Sequence, residues 1–104
     1  MISELEKHVS SRRDFMEKKG IKVGLYNSEI KPKKFKLTIT MESNENVATF
    51  TVWDKGIELP ITADVVVLNV PNHHRIVSKT IKPKQAKELI EAFEELTKLL
   101  TVQA

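Results

Sequence analysis

The chain has 104 residues and a formal net charge of +3, and 30% of its residues are charged. It contains no cysteine, which excludes disulfides, thiolate metal ligands and cysteine nucleophiles. No segment reaches the roughly 18 consecutive apolar residues of a membrane span, and the charged start MISELEKHVSS is unlike a signal peptide. We therefore expect one small cytoplasmic domain over residues 1–104, with no cofactor and no membrane partner.

Residues 1–20 are predicted to form a first helix. Gly20 is a typical C-terminal stop, and the apolar repeat is interrupted at Arg12 and Arg13. Its apolar members are Ile2, Leu5, Val9, Phe15 and Met16. Residues 21–34 are interpreted as a basic connection, with either a short edge strand or a loop at 21–23, because Pro32 argues against continuous structure.

The hydrophobic period changes to two at residue 35, so residues 35–81 are predicted to form an antiparallel sheet. Residues 35–41 and 47–53 make a hairpin, and Phe35 is expected to face the core with Leu37, Ile39 and Met41. Further strands are expected at 64–70 and 75–81, with a short one at 57–59. The continuous apolar run at 64–70 indicates a central strand or one covered on both faces.

A C-terminal helix is predicted over residues 82–101, beginning near Pro83. Its apolar stripe consists of Ala86, Leu89, Ile90, Phe93, Leu96 and Leu100. The predicted fold class is therefore α+β: an antiparallel four- to five-stranded sheet flanked by an N-terminal and a C-terminal helix, in the order α-β-β-β-β-α.

The register of the hairpin follows from its two faces. A one-residue slip would turn one strand's core residues to the opposite side, so the core residues of both strands must share a face. This favours pairing Thr40 with Thr49, Thr38 with Thr51, and Lys36 with Trp53. We call the resulting surface the Thr/Trp face; its members are Lys36, Thr38, Thr40, Thr49, Thr51 and Trp53, the only tryptophan of the chain.

Two interpretations of the Thr/Trp face are open at this point. In the first, Trp53 is structural: it lies flat over threonine methyls and the stem of Lys36, or the first helix covers it. In the second, Trp53 anchors a partner-binding surface, because tryptophan is enriched at interface hot spots. A homodimer through this face is one version of the second interpretation.

Catalytic and metal chemistry find little support in the pattern. The chain has no G-x-S-x-G motif and no P-loop, so we expect no enzyme. His73 and His74 are the strongest metal candidates, but only His8 remains as a third imidazole. We interpret the pair as a polar hairpin tip, with a pH-sensitive contact as the alternative, and expect no metal site.

Positive charge is concentrated at the start of the chain. Residues 1–36 hold ten of the 17 Lys and Arg residues but only five of the 14 acids. Such a segment favours nucleic acid or an acidic protein as a partner. Candidate phosphate contacts are Arg12, Arg13, Lys31, Lys33, Lys34 and Lys36. Stacking aromatics for this function would be limited to Tyr26 and Trp53.

We expect a non-catalytic interaction module that binds a protein partner through the Thr/Trp face. By analogy of class, small cysteine-free domains without catalytic motifs are often regulators, inhibitors or immunity-type proteins, including ones encoded by phages and mobile elements. The alternative is a nucleic-acid-binding module that uses the basic N-terminal third.

Overall fold

One antiparallel sheet and two terminal helices form the fold, which a computed structural model describes for residues 2–31, 34–44, 46–54, 61–69 and 75–103. The elements are α1 (Ile2–Lys18), β1 (Lys22–Lys31), β2 (Lys34–Glu42), β3 (Asn46–Asp54), β4 (Thr62–Asn69), β5 (Arg75–Ile81) and α2 (Ala86–Gln103). Each strand pairs with the next along the chain, in the order β1-β2-β3-β4-β5. The predicted α+β class is confirmed, with five strands in the sheet.

The end of α1 is fixed by a Schellman motif. Gly20 has a φ of 84°, a left-handed conformation that glycine adopts without steric cost. The Gly20 N–H donates to the carbonyl of Glu17, and the Ile21 N–H donates to that of Met16, each at 3.0 Å. Ile21 and Met16 are both fully buried, so the cap also directs the chain from the helix into β1.

Both helices cover the same face of the sheet. The core cluster combines residues of α1 and α2 with alternate residues of the strands. Its buried members are Leu5, Val9, Met16, Ile21, Val23, Leu37, Ile39, Met41, Ala48, Phe50, Val52, Ala63, Val65, Val67, Leu89, Ala92, Phe93, Leu96 and Leu100. Because side chains alternate between the two sides of a strand, the residues between these members point away from the helices.

The interpretation of residues 21–34 as a basic connection is wrong for most of its length, because Lys22–Lys31 form the edge strand β1. Val23 is buried and Leu25 half-buried on the helix side, whereas Gly24 and Tyr26 alternate with them on the other side. An edge strand has a partner on one side only, so its pattern is weaker than that of an internal strand. Pro32 lies outside the described residues.

Two aromatic residues, one expected to face the core and one in the apolar repeat of the first helix, are exposed. Phe35 is on the helix side of β2 but is 39% exposed, whereas Leu37, Ile39 and Met41 on the same strand are buried. Phe15 of α1 is 43% exposed, and the helix buries Leu5, Val9 and Met16. A helical or alternating spacing assigns a residue to a face, but whether that residue is buried depends on how far the neighbouring element extends.

Strand β4 is internal in the sheet, as its apolar run indicated. Ala63, Val65 and Val67 are buried, whereas Val66 and Leu68 on the opposite face are half-buried. The expected strand at 57–59 and the turn with His73 and His74 lie outside the described residues.

Candidate functional site

The predicted register of the β2–β3 hairpin is confirmed. Thr40 pairs with Thr49, Thr38 with Thr51, and Lys36 with Trp53. The register is set at the turn, where the Ser43 N–H donates to the Asn46 carbonyl at 2.9 Å and the Asn46 N–H donates to Ser43 Oγ at 3.1 Å. The four threonines of the Thr/Trp face therefore form a square at the centre of the sheet, which we call the threonine square.

The side of the sheet away from the helices, the open sheet face, continues the Thr/Trp face onto every strand. The pairings place its residues in rows across the sheet. On the β1 side of the Thr/Trp face lie Lys22, Gly24, Tyr26 and Ser28. On the other side lie Thr62, Asp64, Val66 and Leu68 of β4, followed by Ser78 and Thr80 of β5. None of the described helical residues packs on this side in the core cluster.

The ammonium group of Lys36 lies over the ring of Trp53. The Lys36 Nζ lies 4.5 Å from the Trp53 ring centroid, within the range of a cation–π contact. The interpretation that the first helix covers Trp53 is wrong, because α1 packs on the opposite side of the sheet. Trp53 remains partly exposed at one end of the Thr/Trp face.

Tyr26 is a second aromatic residue on the open sheet face, and it is 62% exposed. Its ring lies over the backbone of Gly24, since a Cβ built at Gly24 would be 2.9 Å from Tyr26 Cε2. The same Cβ would be 2.5 Å from Thr40 Oγ1. Glycine at this position therefore lets the tyrosine lie against the sheet beside the threonine square, a placement that the sequence pattern did not reveal.

The open sheet face is mainly uncharged at its centre. Val47, Val66 and Leu68 add half-buried aliphatic surface next to the threonine square. Asp64 is exposed and accepts a hydrogen bond from Thr80 Oγ1 at 2.9 Å, which ties the carboxylate to the β5 side. Charged residues on this side of β2 lie at its two ends, Lys34 and Lys36 at one and Glu42 at the other.

The basic residues proposed for phosphate binding are not brought together. Arg12 Nε lies 3.3 Å from Glu94 Oε1, and its guanidinium is 4.4 Å from the Phe15 ring centroid. Arg13 Nε lies 3.3 Å from Glu17 Oε1. Both arginines are on α1, on the helix side of the sheet, whereas Lys36 is on the open face.

Lys34 precedes Lys36 on the same side of β2 by strand alternation. The Lys31 side chain and all of Lys33 lie outside the described part of the chain. The basic N-terminal third is thus divided between two sides of the sheet rather than forming one patch.

The helices are joined by a charged cluster. His8 Nε2 and Glu94 Oε1 are 2.6 Å apart, and Arg12 shares the same carboxylate oxygen. The His8 ring also meets the edge of Phe93, with centroids 5.9 Å apart. These contacts hold α1 against α2, which gives His8 and Arg12 structural partners on the side remote from the Thr/Trp face.

Comparison with protein-family models, curated proteins and solved structures finds no match to this chain. Within the described ranges, no three His, Asp or Glu side chains are grouped so that they could hold a metal ion. The described helices also include none with the length and apolar character needed to cross a membrane.

Proposed function

We propose that this protein is a non-catalytic interaction module whose open sheet face binds a protein partner, with the Thr/Trp face at the centre of the contact. The observation that supports this most directly is the position of Trp53. The tryptophan lies on the side of the sheet that the helices leave open, and its ring is held by Lys36 rather than buried in the core.

The chemistry of the open sheet face suits a protein more than a polyanion. Interface cores are depleted in charge and enriched in aromatic residues. The threonine square is uncharged and lies next to Val47 and Val66. Tyr26 and Trp53 supply large, rigid side chains on either side of β2. Both are candidate anchor residues for a protein partner. The role that this proposal favours is that of a regulator, inhibitor or immunity-type protein.

The proposal predicts that Trp53→Ala removes association without unfolding the chain. Because Trp53 is outside the buried core, thermal unfolding should remain cooperative, and the partner's Kd should rise at least about tenfold. The measurement is capture of proteins from the native host by immobilised wild type and variant, followed by titration of the captured protein.

Phe15→Ala is the matched control for this experiment. It removes another partly exposed aromatic residue, which lies on α1 and not on the open sheet face. Partners retained by wild type and Phe15→Ala but lost with Trp53→Ala support the proposal. Loss of cooperative unfolding in Trp53→Ala, or loss of capture with both variants alike, contradicts it.

Nucleic-acid binding is the second candidate, and the clustering of Lys34, Lys36 and Trp53 on one face favours it. A single strand would have to bind at this end of the sheet without Arg12 and Arg13, which lie on the other side. Mixed single-stranded nucleic acid should then bind at low salt, with an affinity that falls steeply as salt increases. Absence of binding at low salt rules this candidate out.

A further inference from the structure

The two central strands present a self-complementary pattern on the open sheet face. After Lys34 at the start of β2, the face carries a cation, two threonines and an anion along the strand, in the order Lys36, Thr38, Thr40, Glu42. Lys36 and Glu42 are about 20 Å apart, six residues along one strand, so they are too distant to pair within one chain. The β2 pattern therefore has opposite charges at its two ends. On the same face, Lys22 of β1 pairs directly across from Glu42, and the Lys36 Nζ lies over the Trp53 ring.

Strand β3 carries the matching apolar pattern. Trp53 is paired with Lys36, and Val47 is paired with Glu42. Between them, Thr51 and Thr49 are paired with the two threonines of β2. One end of the face is thus Lys36 with Trp53, and the other end is Glu42 with Val47. The threonine square lies midway between these ends.

A two-fold axis that crosses the strands through the threonine square exchanges these ends. If a second copy faces the first about this axis, Lys36 of one copy meets Glu42 of the other, and Trp53 meets Val47. Each contact occurs twice, as an isologous interface requires. The threonines of the two copies meet at the axis, where small side chains allow two sheets to approach to about 10 Å.

We infer that the partner of the open sheet face is a second copy of this chain, forming a face-to-face two-fold dimer. This inference rests on the proposed function, because it names the protein that the Thr/Trp face binds. Two observations carry it: the charge complementarity of Lys36 with Glu42 and the apolar complementarity of Trp53 with Val47, both related by the same axis.

The size of the face is adequate for a dimer. Five strands about 4.8 Å apart and four rows of side chains about 6.8 Å apart give a footprint of about 24 Å by 27 Å. A standard stable interface buries about 800 Å² per partner, a comparable size. Thr80 of β5 lies at the edge of this footprint, where a polar, hydrated rim is the usual composition. Asp64 is paired with Thr51 beside the threonine square, and its carboxylate keeps the hydrogen bond from Thr80 as a polar partner within the same chain.

The test is the mass of the full chain in solution and its response to charge reversal. Sedimentation of the wild type at about 1–300 µM should show conversion from the 11.9 kDa monomer to a dimer. Lys36→Glu and Glu42→Lys should each raise the dimer Kd at least about tenfold, because each places like charges together twice. Circular dichroism establishes that both variants are folded.

Mixing the two variants provides the decisive measurement. In a heterodimer of Lys36→Glu with Glu42→Lys, both contacts again join opposite charges, so the equimolar mixture should dimerise as the wild type does. Attraction between net charges does not explain such a result: each reversal changes the +3 of the chain by two units, so both variants stay positive. Glu91→Lys on α2 is the control, and it should dimerise normally.

Three outcomes overturn the inference. These are a wild type that stays monomeric throughout, a dimer that both reversals leave unchanged, and a mixture that stays monomeric when each variant alone is monomeric. The proposed function fails separately. If the wild type is monomeric but captures another protein, and Trp53→Ala abolishes that capture, the proposed binding face is supported and only the dimer is overturned.

Discussion

Gly24 determines how Tyr26 lies on the sheet. With no side chain at position 24, the tyrosine ring occupies the space above the strand backbone, next to Thr40. Aromatic residues that cover a strand glycine in this way compensate for the packing that the glycine lacks. The exposed ring at the edge of the open sheet face therefore depends on a residue that itself contributes no side chain.

Gly24→Ala should destabilise the protein by about 1–2 kcal/mol, because the new methyl overlaps Thr40 Oγ1 and the Tyr26 ring. Without that overlap, alanine would be favoured over glycine in a strand by about 0.5–1 kcal/mol. Urea unfolding measures the difference in the free energy of unfolding between Gly24→Ala and the wild type. In a Thr40→Ala background the loss should be smaller, whereas a Gly24→Ala protein that is more stable than wild type would show that the ring does not occupy this space.

At the scale of elements, the start of α2 is held by one carboxylate. Glu88 accepts hydrogen bonds from the backbone N–H of Lys84 and, at 3.2 Å, from that of Gln85. These two bonds, that from Lys84 first, hold the pKa of Glu88 below its ordinary value of 4.5. The charged carboxylate thereby satisfies the N–H of Gln85, directly before the first residue of α2, as in a capping box, and also that of Lys84 upstream of it.

The lowered pKa predicts a pH dependence with a definite sign. A carboxyl group whose pKa is lower in the folded state stabilises that state above its unfolded pKa and loses this effect as pH falls through the folded value. Glu88→Ala should therefore lower the urea midpoint by a constant amount above about pH 5, and the difference should shrink below about pH 4.5. Glu91→Ala, in the same helix, is the control, and an equal response in both variants would contradict the assignment.

The elements also show what the sequence can and cannot reveal. The hairpin register was predictable because the alternation in β2 and β3 leaves only one pairing with all core residues on one side. Strand β1 was largely missed because its outer positions hold Gly24 and exposed polar residues, so few apolar residues mark it. The exposure of Phe35 was not predictable, since it depends on the position of α1 over the sheet rather than on any local pattern.

For the whole molecule, stability is concentrated in the layer between sheet and helices. Phe50 is fully buried at the middle of β3, whereas Phe15 is 43% exposed and carries Arg12 over its ring. Phe50→Ala should cost about 3–5 kcal/mol, a large part of the roughly 5–15 kcal/mol of a small domain. Phe15→Ala should cost about 1 kcal/mol or less.

Thermal and urea unfolding of these two variants distinguish the buried layer from the surface. A similar loss of stability in both would mean that Phe15 belongs to the cooperative core despite its exposure. Neither phenylalanine is part of the Thr/Trp face, so neither substitution alters the candidate site directly. The proposed binding face and the buried layer are on opposite sides of one sheet, so substitutions that test binding need not alter the core.

The contact between α1 and α2 has a consequence for biosynthesis. His8 and Glu94, 2.6 Å apart in the fold, are separated by 86 positions along the chain. During translation the five strands can pair in the order in which they emerge, because each joins its predecessor. Their apolar side remains only half covered until α2 leaves the ribosome. A nascent chain at that stage is a natural client for chaperones, and a transcript truncated before α2 should yield a product that is degraded rather than one with partial activity.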